Sequence, residues 1–292
     1  MTVGFLGLGW MGSNFARRLV GTGHRVVGFD PVPERLAAAV ELGVQAARDG
    51  REAAEAGDVA LTSLPSSAVF ERVAAETLVP AARPGRVFVD LGTTEVSVAR
   101  RTAGALAERG AALVDAPVSG DPRGDVHVFV GGPPEAVERA LPILRTLAGA
   151  KPCVHAGPSG CGQILKGVNQ LAMGLVQAAW LETVSYATRQ GLDPAVVAEA
   201  VGGPDGWRAK LAETARSVQN GDPDAFDLKF AEWPYFLNAA REAGIRMPML
   251  EALAAFLEGR SRDRRDNMGR PYAPLWSALH EVGGGAPGPS GT

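Results

Sequence analysis

Lysine is scarce in this 292-residue chain: of 29 basic residues only four are lysine, so arginine serves almost wherever a cation is needed. Cysteine is scarcer, with Cys153 and Cys161 alone, which excludes a disulfide-stapled scaffold. Cys161, at a helix start, reads as a packed structural thiol. The four histidines, His24, His127, His155 and His280, stand far apart without metal-ligand spacing, so no metal is expected; His127 falls in an alternating strand and reads as structural. No run of 18 apolar residues occurs, which excludes a simple transmembrane helix. The opening MTVGFLGLGWMG lacks the basic start and small-residue cleavage site of a secretory leader, so the expectation is a cytoplasmic protein with reduced thiols. An excess of one charge is also missing: 29 basic against 32 acidic residues argues against a nucleic-acid or membrane-surface partner. The arginine-rich run GRSRDRRDNMGR (259–270) is interleaved with Asp263 and Asp266 and reads as a solvated or partner-facing segment. No internal repeat is visible.

What is present is a strong alternation. Short apolar runs at 3–6, 25–29, 59–63, 86–90 and 112–116 are separated by amphipathic stretches at 11–21, 33–43, 67–78 and 95–109. That spacing predicts parallel βαβ units and a doubly wound sheet. Two more runs, DVHVFVGG (125–132) and KPCVHAG (151–157), flank a helical stretch at 134–147 and extend the sheet. Beyond Gly162 only helical patterns follow, at 161–190, 194–201, 207–219, 226–243 and 247–260. The first is more than twice the usual helix length of about 11–12 residues, as expected of a helix bridging two domains. The expected organisation is an α/β dinucleotide-binding domain over 1–160, an all-helical domain over 161–282 and a Gly/Pro/Ser-rich disordered tail over 283–292. Trp207, Trp233, Tyr235 and Trp276 read as core of the helical domain.

Gly7, Gly9 and Gly12 form G-x-G-x-x-G directly after a strand and at the opening of a helix. In that context the first glycine permits the turn, the second lets a diphosphate approach the backbone, and the third lets helix pack on sheet. Asp30 ends the second strand, where an acid binds adenosine ribose hydroxyls and repels a 2′-phosphate, which points to NAD. Arg35, five residues on, leaves NADP open.

Lys166 lies in GPSGCGQILKGVNQLAMG (157–174), an otherwise uncharged run. On a helix, Lys166, Asn169 and Gln170 share one face. Alcohol oxidation by hydride loss needs a group that takes the hydroxyl proton, and reduction needs it returned. Burial brings a lysine's pKa down toward neutrality, whereas arginine keeps its proton. The apolar neighbours Ile164, Leu165, Val168, Leu171 and Met173 argue against a solvated face.

With VGFLGLGWMGSNFARRL at the start, VDAPVSG at 114–120 and GCGQILKGVNQ at 160–170, the sequence resembles the β-hydroxyacid dehydrogenases. The resemblance implies a Rossmann domain, a long interdomain helix and a helical C-terminal domain supporting a homodimer or homotetramer. It implies an NAD-dependent oxidoreductase acting on the CH–OH group of a small β-hydroxyacid or on the matching semialdehyde. By position, Gly7, Leu8, Gly9, Trp10, Met11 and Gly12 line the diphosphate, Leu64 and Pro65 sit against the cofactor, and Thr93 lies near the nicotinamide. Ser119 and Gly120 hold the substrate carboxylate, Lys166 is the catalytic lysine, and Asn169 orients the substrate. Departures from the family pattern are Asp121 for a glycine, Gln170 for the second asparagine, Ala231 and Glu232 for a Lys–Asp pair, a serine loop a few residues shorter, and the ending RDNMGRPYAPLW. Asp121 and Gln170 join the expected substrate contacts, Asp121 favouring an amine or polyhydroxyl group. The alternatives are an imine reductase, which generally places another residue at the lysine's position, and a non-catalytic cofactor-binding member of the family.

Overall fold

The computed structural model describes residues 1–221, 228, 232–258 and 273–281. They form two compact units, one of Met1–Val168 and a second that begins at Asn169. The expectations for the tail at 283–292, for the arginine-rich run at 259–270 and for Ala231 lie outside the described residues.

In chain order the first unit contains β1 (Thr2–Leu6), α1 (Trp10–Gly21), β2 (Arg25–Phe29), α2 (Pro33–Glu41), β3 (Gln45–Ala46), α3 (Gly50–Glu55) and β4 (Val59–Thr62). There follow α4 (Ser67–Val73), a π turn (Ala74–Leu78), α5 (Val79–Ala81), β5 (Val87–Asp90), α6 (Val96–Ala107) and β6 (Ala112–Asp115). The unit ends with β7 (Val118–Ser119), β8 (His127–Gly131), α7 (Pro134–Ala148), β9 (Cys153–Gly157) and the start of α8 (Cys161–Arg189). The strands lie in the order β3-β2-β1-β4-β5-β6-β8-β7, with β9 on β8. From β3 through β6 every pairing is parallel; β8 then runs antiparallel to β6 and β7. The order reverses between β1 and β4, the switch point where doubly wound sheets bind ligands at the carboxyl ends of their strands.

The central strands are apolar throughout because helices cover both faces. Phe5, Phe15, Leu61, Val89 and Ile143 pack on one face, and Leu6, Phe70, Phe88, Leu106 and Leu113 on the other, nearly all fully buried. At about 1.5–3 kcal/mol per buried large side chain, these two layers supply most of the unit's cohesion. Helix starts are written in the sequence. Asp49 accepts from Glu52 N at 2.8 Å, Ser66 accepts from Val69 N at 3.3 Å, and Pro33 opens α2. The helix expected over 67–78 continues to Ala81 and passes into a π turn just before Pro80, whose missing N–H cannot continue the α ladder. The short β3, α3 and β7 are absent from the periodicity, being too brief to show a pattern.

The second unit holds the rest of α8, then α9 (Pro194–Ala200), α10 (Gly206–Gln219), α11 (Trp233–Glu242), α12 (Pro248–Leu257) and α13 (Leu275–Glu281). Leu181, Leu228, Leu237, Leu250, Leu257 and Leu275 form one of its cores, and Val184, Val197, Leu211 and Ala212 another. Two expectations need correction. Of the helix expected over 226–243, the described part is α11 from Trp233, while Leu228 exchanges two 3.0 Å backbone hydrogen bonds with Ala273, an antiparallel bridge where a helix is expected. Trp207 is 51% exposed rather than core; it stacks on Trp180 with the Arg208 guanidinium against its ring.

Candidate active site

The glycine-rich loop joins β1 to α1, and its three glycines do different work. Gly7 has φ +89°, and a Cβ there would lie 2.4 Å from the Ser63 carbonyl oxygen. A Cβ on Gly12 would lie 2.0 Å from the Gly7 carbonyl oxygen, so α1 could not pack so close. A Cβ on Gly9, by contrast, would meet nothing within 4 Å. The backbone at Gly9 therefore faces open space. Gly9 caps α1 with no side-chain acceptor, and the first turn carries no acid, so N–H donors and the positive helix end are offered to an anion. Those features fit the diphosphate of a dinucleotide. Leu64 is half-buried and its Cδ2 would lie 3.0 Å from a Gly7 Cβ, which sets the Leu64–Pro65 turn beside the loop; Pro65 is exposed.

Asp30, at the end of β2, is only 4% exposed. Its Oδ2 accepts from Leu8 N at 2.8 Å and its Oδ1 from Val32 N at 2.9 Å, and the Arg35 guanidinium stands 4.0 Å away. The carboxylate thus braces the glycine loop from behind. Each oxygen keeps a further lone pair for a ribose hydroxyl.

Lys166 sits in the second turn of α8, 7% exposed, and its Nζ donates to the Val118 carbonyl at 2.8 Å. Its burial agrees with the sequence reading, but the neighbours offered as the reason do not: Ile164, Val168 and Met173 are 44%, 59% and 52% exposed. The buried stripe is instead Gly162, Gln163, Lys166, Gly167, Gln170 and Gly174, at helical spacing.

A polar network that the motifs do not announce holds the lysine turn. Asp115, fully buried at the end of β6, accepts from Gly160 N at 2.7 Å and from Gln163 N at 3.0 Å. Asp90, at the end of β5, accepts from Thr62 Oγ1 at 2.9 Å, Gly92 N at 3.0 Å and Thr94 Oγ1 at 2.7 Å. Burial pushes both carboxyls up to about 6 against the pull of these donors. Thr94 is buried, while Thr93 beside it is half-exposed. The sequence signal for this network is an aspartate at the end of each of two otherwise apolar strands, VFVD and ALVD.

Ser119 is half-buried on β7, and Gly120 turns the chain with φ +137°. Asp121 is exposed and committed to Arg123, which donates from Nε at 3.0 Å and from Nη2 at 2.5 Å; this holds the Asp121 carboxyl down at about 2. The Arg123 guanidinium lies 6.0 Å from the Trp10 ring centre. Arg18 on α1 anchors the far end of the turn by donating to the carbonyls of Gly124 and Leu147, and Asp125 accepts from Ala150 N at 3.0 Å.

This arrangement can be set against known proteins. Residues 2–157 match the family model described as the NAD-binding domain of 6-phosphogluconate dehydrogenase. The chain is 31% identical over 267 residues to 2-(hydroxymethyl)glutarate dehydrogenase of Eubacterium barkeri, covering 88% of each chain. It is 34% identical over 205 residues to 3-hydroxyisobutyrate dehydrogenase of Pseudomonas aeruginosa, covering 68% of each. The chain belongs to the β-hydroxyacid dehydrogenase family. Among solved structures, the 3-hydroxyisobutyrate dehydrogenase of Mycobacterium tuberculosis with L-serine superposes with a TM-score of 0.76 at 28% identity, covering 96% of this chain and 98% of that one. The match lies within the first unit, which therefore contains the NAD-binding domain.

The departures from the family pattern are local. Gln170, 5% exposed, donates from Nε2 to Glu232 Oε2 at 3.2 Å, and its Oε1 is buried with no hydrogen-bond partner among the described residues. Asn169 is half-buried one residue earlier on α8. Among the described residues no group of three or more His, Cys, Asp or Glu side chains could hold a metal, and no helix is long and apolar enough to cross a membrane.

Proposed function

We propose that this β-hydroxyacid dehydrogenase uses NAD to oxidise the hydroxyl-bearing carbon of a small polar β-hydroxyacid, or to reduce the matching semialdehyde, with Lys166 as acid and base. The observation that carries the reading is the buried Lys166 ammonium, held by the carbonyl of Val118 directly before Ser119. The loop Gly7–Gly12 takes the diphosphate, Asp30 the ribose hydroxyls, and Leu64, Pro65 and Thr93 the nicotinamide side. Bound NAD supplies the hydride acceptor and, once reduced, the donor. Neutral Lys166 takes the hydroxyl proton during oxidation and returns it during reduction, a contribution of about 10²–10⁴ in rate. Ser119 and Gly120 hold the substrate's acid group, Asp121 acts from the same turn through Arg123, and Asn169 and Gln170 orient the substrate from the lysine's helix face.

Residues 1–160 then serve as the cofactor domain and 161–282 as the substrate and oligomerisation domain. A homodimer or homotetramer is supported by the apolar side chains that α8 leaves open in one chain, Ile164, Val168, Met173 and Val176, each at least 44% exposed. The near-balanced charge fits a cytoplasmic enzyme. The deciding experiment is Lys166→Ala: turnover across C3–C6 hydroxyacids and semialdehydes should fall by about 10²–10⁴ while NADH still binds as in the wild type. Near-full turnover in the variant would refute the lysine mechanism.

A further inference from the structure

Gln163 stands one helical turn before Lys166 and is fully buried. Its backbone N–H donates to Asp115, its Nε2 donates to the Gly92 carbonyl at 2.9 Å, and its Oε1 accepts from Thr94 N at 3.0 Å. One residue therefore joins three segments: the loop after β5, the end of β6 and the first turn of α8. The contact has no slack. A Cβ on Gly162 would lie 2.4 Å from the Phe129 carbonyl oxygen, and a Cβ on Gly131 would lie 2.7 Å from Gly162 N, so the helix start is pressed against the strand ends. Asp115 fixes that turn of α8, and three residues later Val118 fixes the Lys166 ammonium. Both ends of the lysine's placement thus come from a single four-residue stretch of chain.

We infer that Gln163 is a positioning residue for hydride transfer, clamping the Gly92–Thr94 loop and the lysine-bearing turn of α8 into one rigid piece. The inference rests on the proposed chemistry, in which Thr93 borders the nicotinamide while Lys166 holds the proton. Hydride and proton must then move between groups whose separation Gln163 sets, and a displacement of about 1 Å is enough to lower rate by on the order of 10²-fold. The amide is suited to the task because it needs a donor and an acceptor at once, between the buried carboxylates Asp90 and Asp115, and brings no charge of its own.

The test compares full-length wild type with Gln163→Met, which keeps the length and loses both side-chain bonds, and Gln163→Glu, which keeps the acceptor for Thr94 N. Amide hydrogen exchange should accelerate at least about tenfold in Gln163→Met at both Gly92–Thr94 and the first turns of α8, since Thr94 N loses its acceptor. Its kcat should fall about 10–100-fold, with KM and NADH affinity within about threefold. Gln163→Glu should be impaired at high pH and recover toward wild type as pH falls, because a protonated carboxyl again donates to the Gly92 carbonyl. Acceleration in only one of the two segments would overturn the inference, as would unchanged kcat in molecules where both have loosened. A lowered Tm with normal kcat per folded molecule would likewise show a merely structural role. Should Gln163→Met not fold, the pH recovery of Gln163→Glu decides. Absence of wild-type turnover on every hydroxyacid would sink the proposed chemistry, whereas the exchange measurement still judges the clamp.

Discussion

Asp30→Ser separates two duties that one carboxylate performs. In the wild type, Asp30 accepts from Leu8 N and Val32 N while presenting negative charge where an adenosine ribose would lie. Leu8 is 2% exposed, so in the variant its N–H is left in a dry site, which costs about 1–3 kcal/mol. Val32 is half-buried, and water can take over its bond at a cost of about 0–1 kcal/mol. Together, about 1–4 kcal/mol corresponds to a Tm lower by roughly 2–16 °C for a unit of this size. At the same time the repulsion of a 2′-phosphate disappears and the Arg35 guanidinium, 4.0 Å from the present carboxylate, is released to meet it. The kcat/KM ratio of NADP to NAD should therefore rise by at least about tenfold, a change of about 1.4 kcal/mol. Thermal melts give the first number and paired initial rates with both cofactors the second. A variant that loses stability but keeps the wild-type cofactor ratio would show that Asp30 only braces the loop, and NAD selection would have to be sought elsewhere.

The glycine loop allows a sharper contrast. Gly9→Ala should fold with an unchanged melt yet bind NADH at least about tenfold more weakly, because its methyl enters the open space that the proposed reading assigns to the diphosphate. Gly12→Ala should be recovered in much lower folded yield, since its methyl meets the Gly7 carbonyl; equal melts for the two variants would refute the division of roles. The buried carboxyls give a pH signature. Folded Asp90 and Asp115 hold their protons up to about 6, above their unfolded value, so the native state binds more protons between about pH 4 and 6 and stability falls as pH rises through that window. For Asp90 the limit is about 3 kcal/mol, and Asp90→Asn should flatten that part of a Tm-versus-pH curve; an unaltered curve would mean the carboxyl ionises normally in the fold.

The parts that were legible in the sequence are those where physics leaves a periodic or stereochemical trace. Apolar runs such as VGFL and RVFVD had to be interior parallel strands, and α8 was readable almost to the residue, Cys161–Arg189 against an expected 161–190. Gly7, Gly9 and Gly12 were legible because each answers a distinct steric demand. What stayed hidden depends on contacts between distant segments. Gln163 looks like any polar helix residue until Gly92 and Thr94 are brought against it. The burial of Lys166 was expected from its apolar neighbours, yet helical phase turns Ile164 and Val168 outward and Gln163 and Gln170 inward. Leu228 was read as helix because its bridge partner, Ala273, lies 45 residues on.

The turn from Gly120 to Gly124 hangs outside the sheet between two fixed posts, Arg18 on α1 and Asp125 at the foot of α7. Its residues bear no ladder hydrogen bonds, so they can be exchanged, lengthened or shortened while the strands on either side keep their register. For an engineer, this is a cassette. On the proposed reading, in which this turn borders the substrate, a library randomised over Asp121–Arg123 with Arg18 and Asp125 left alone should vary what the enzyme accepts while leaving Lys166 and Asp30 untouched. The same modularity describes how a lineage could drift from one hydroxyacid to another by re-cutting a single short turn.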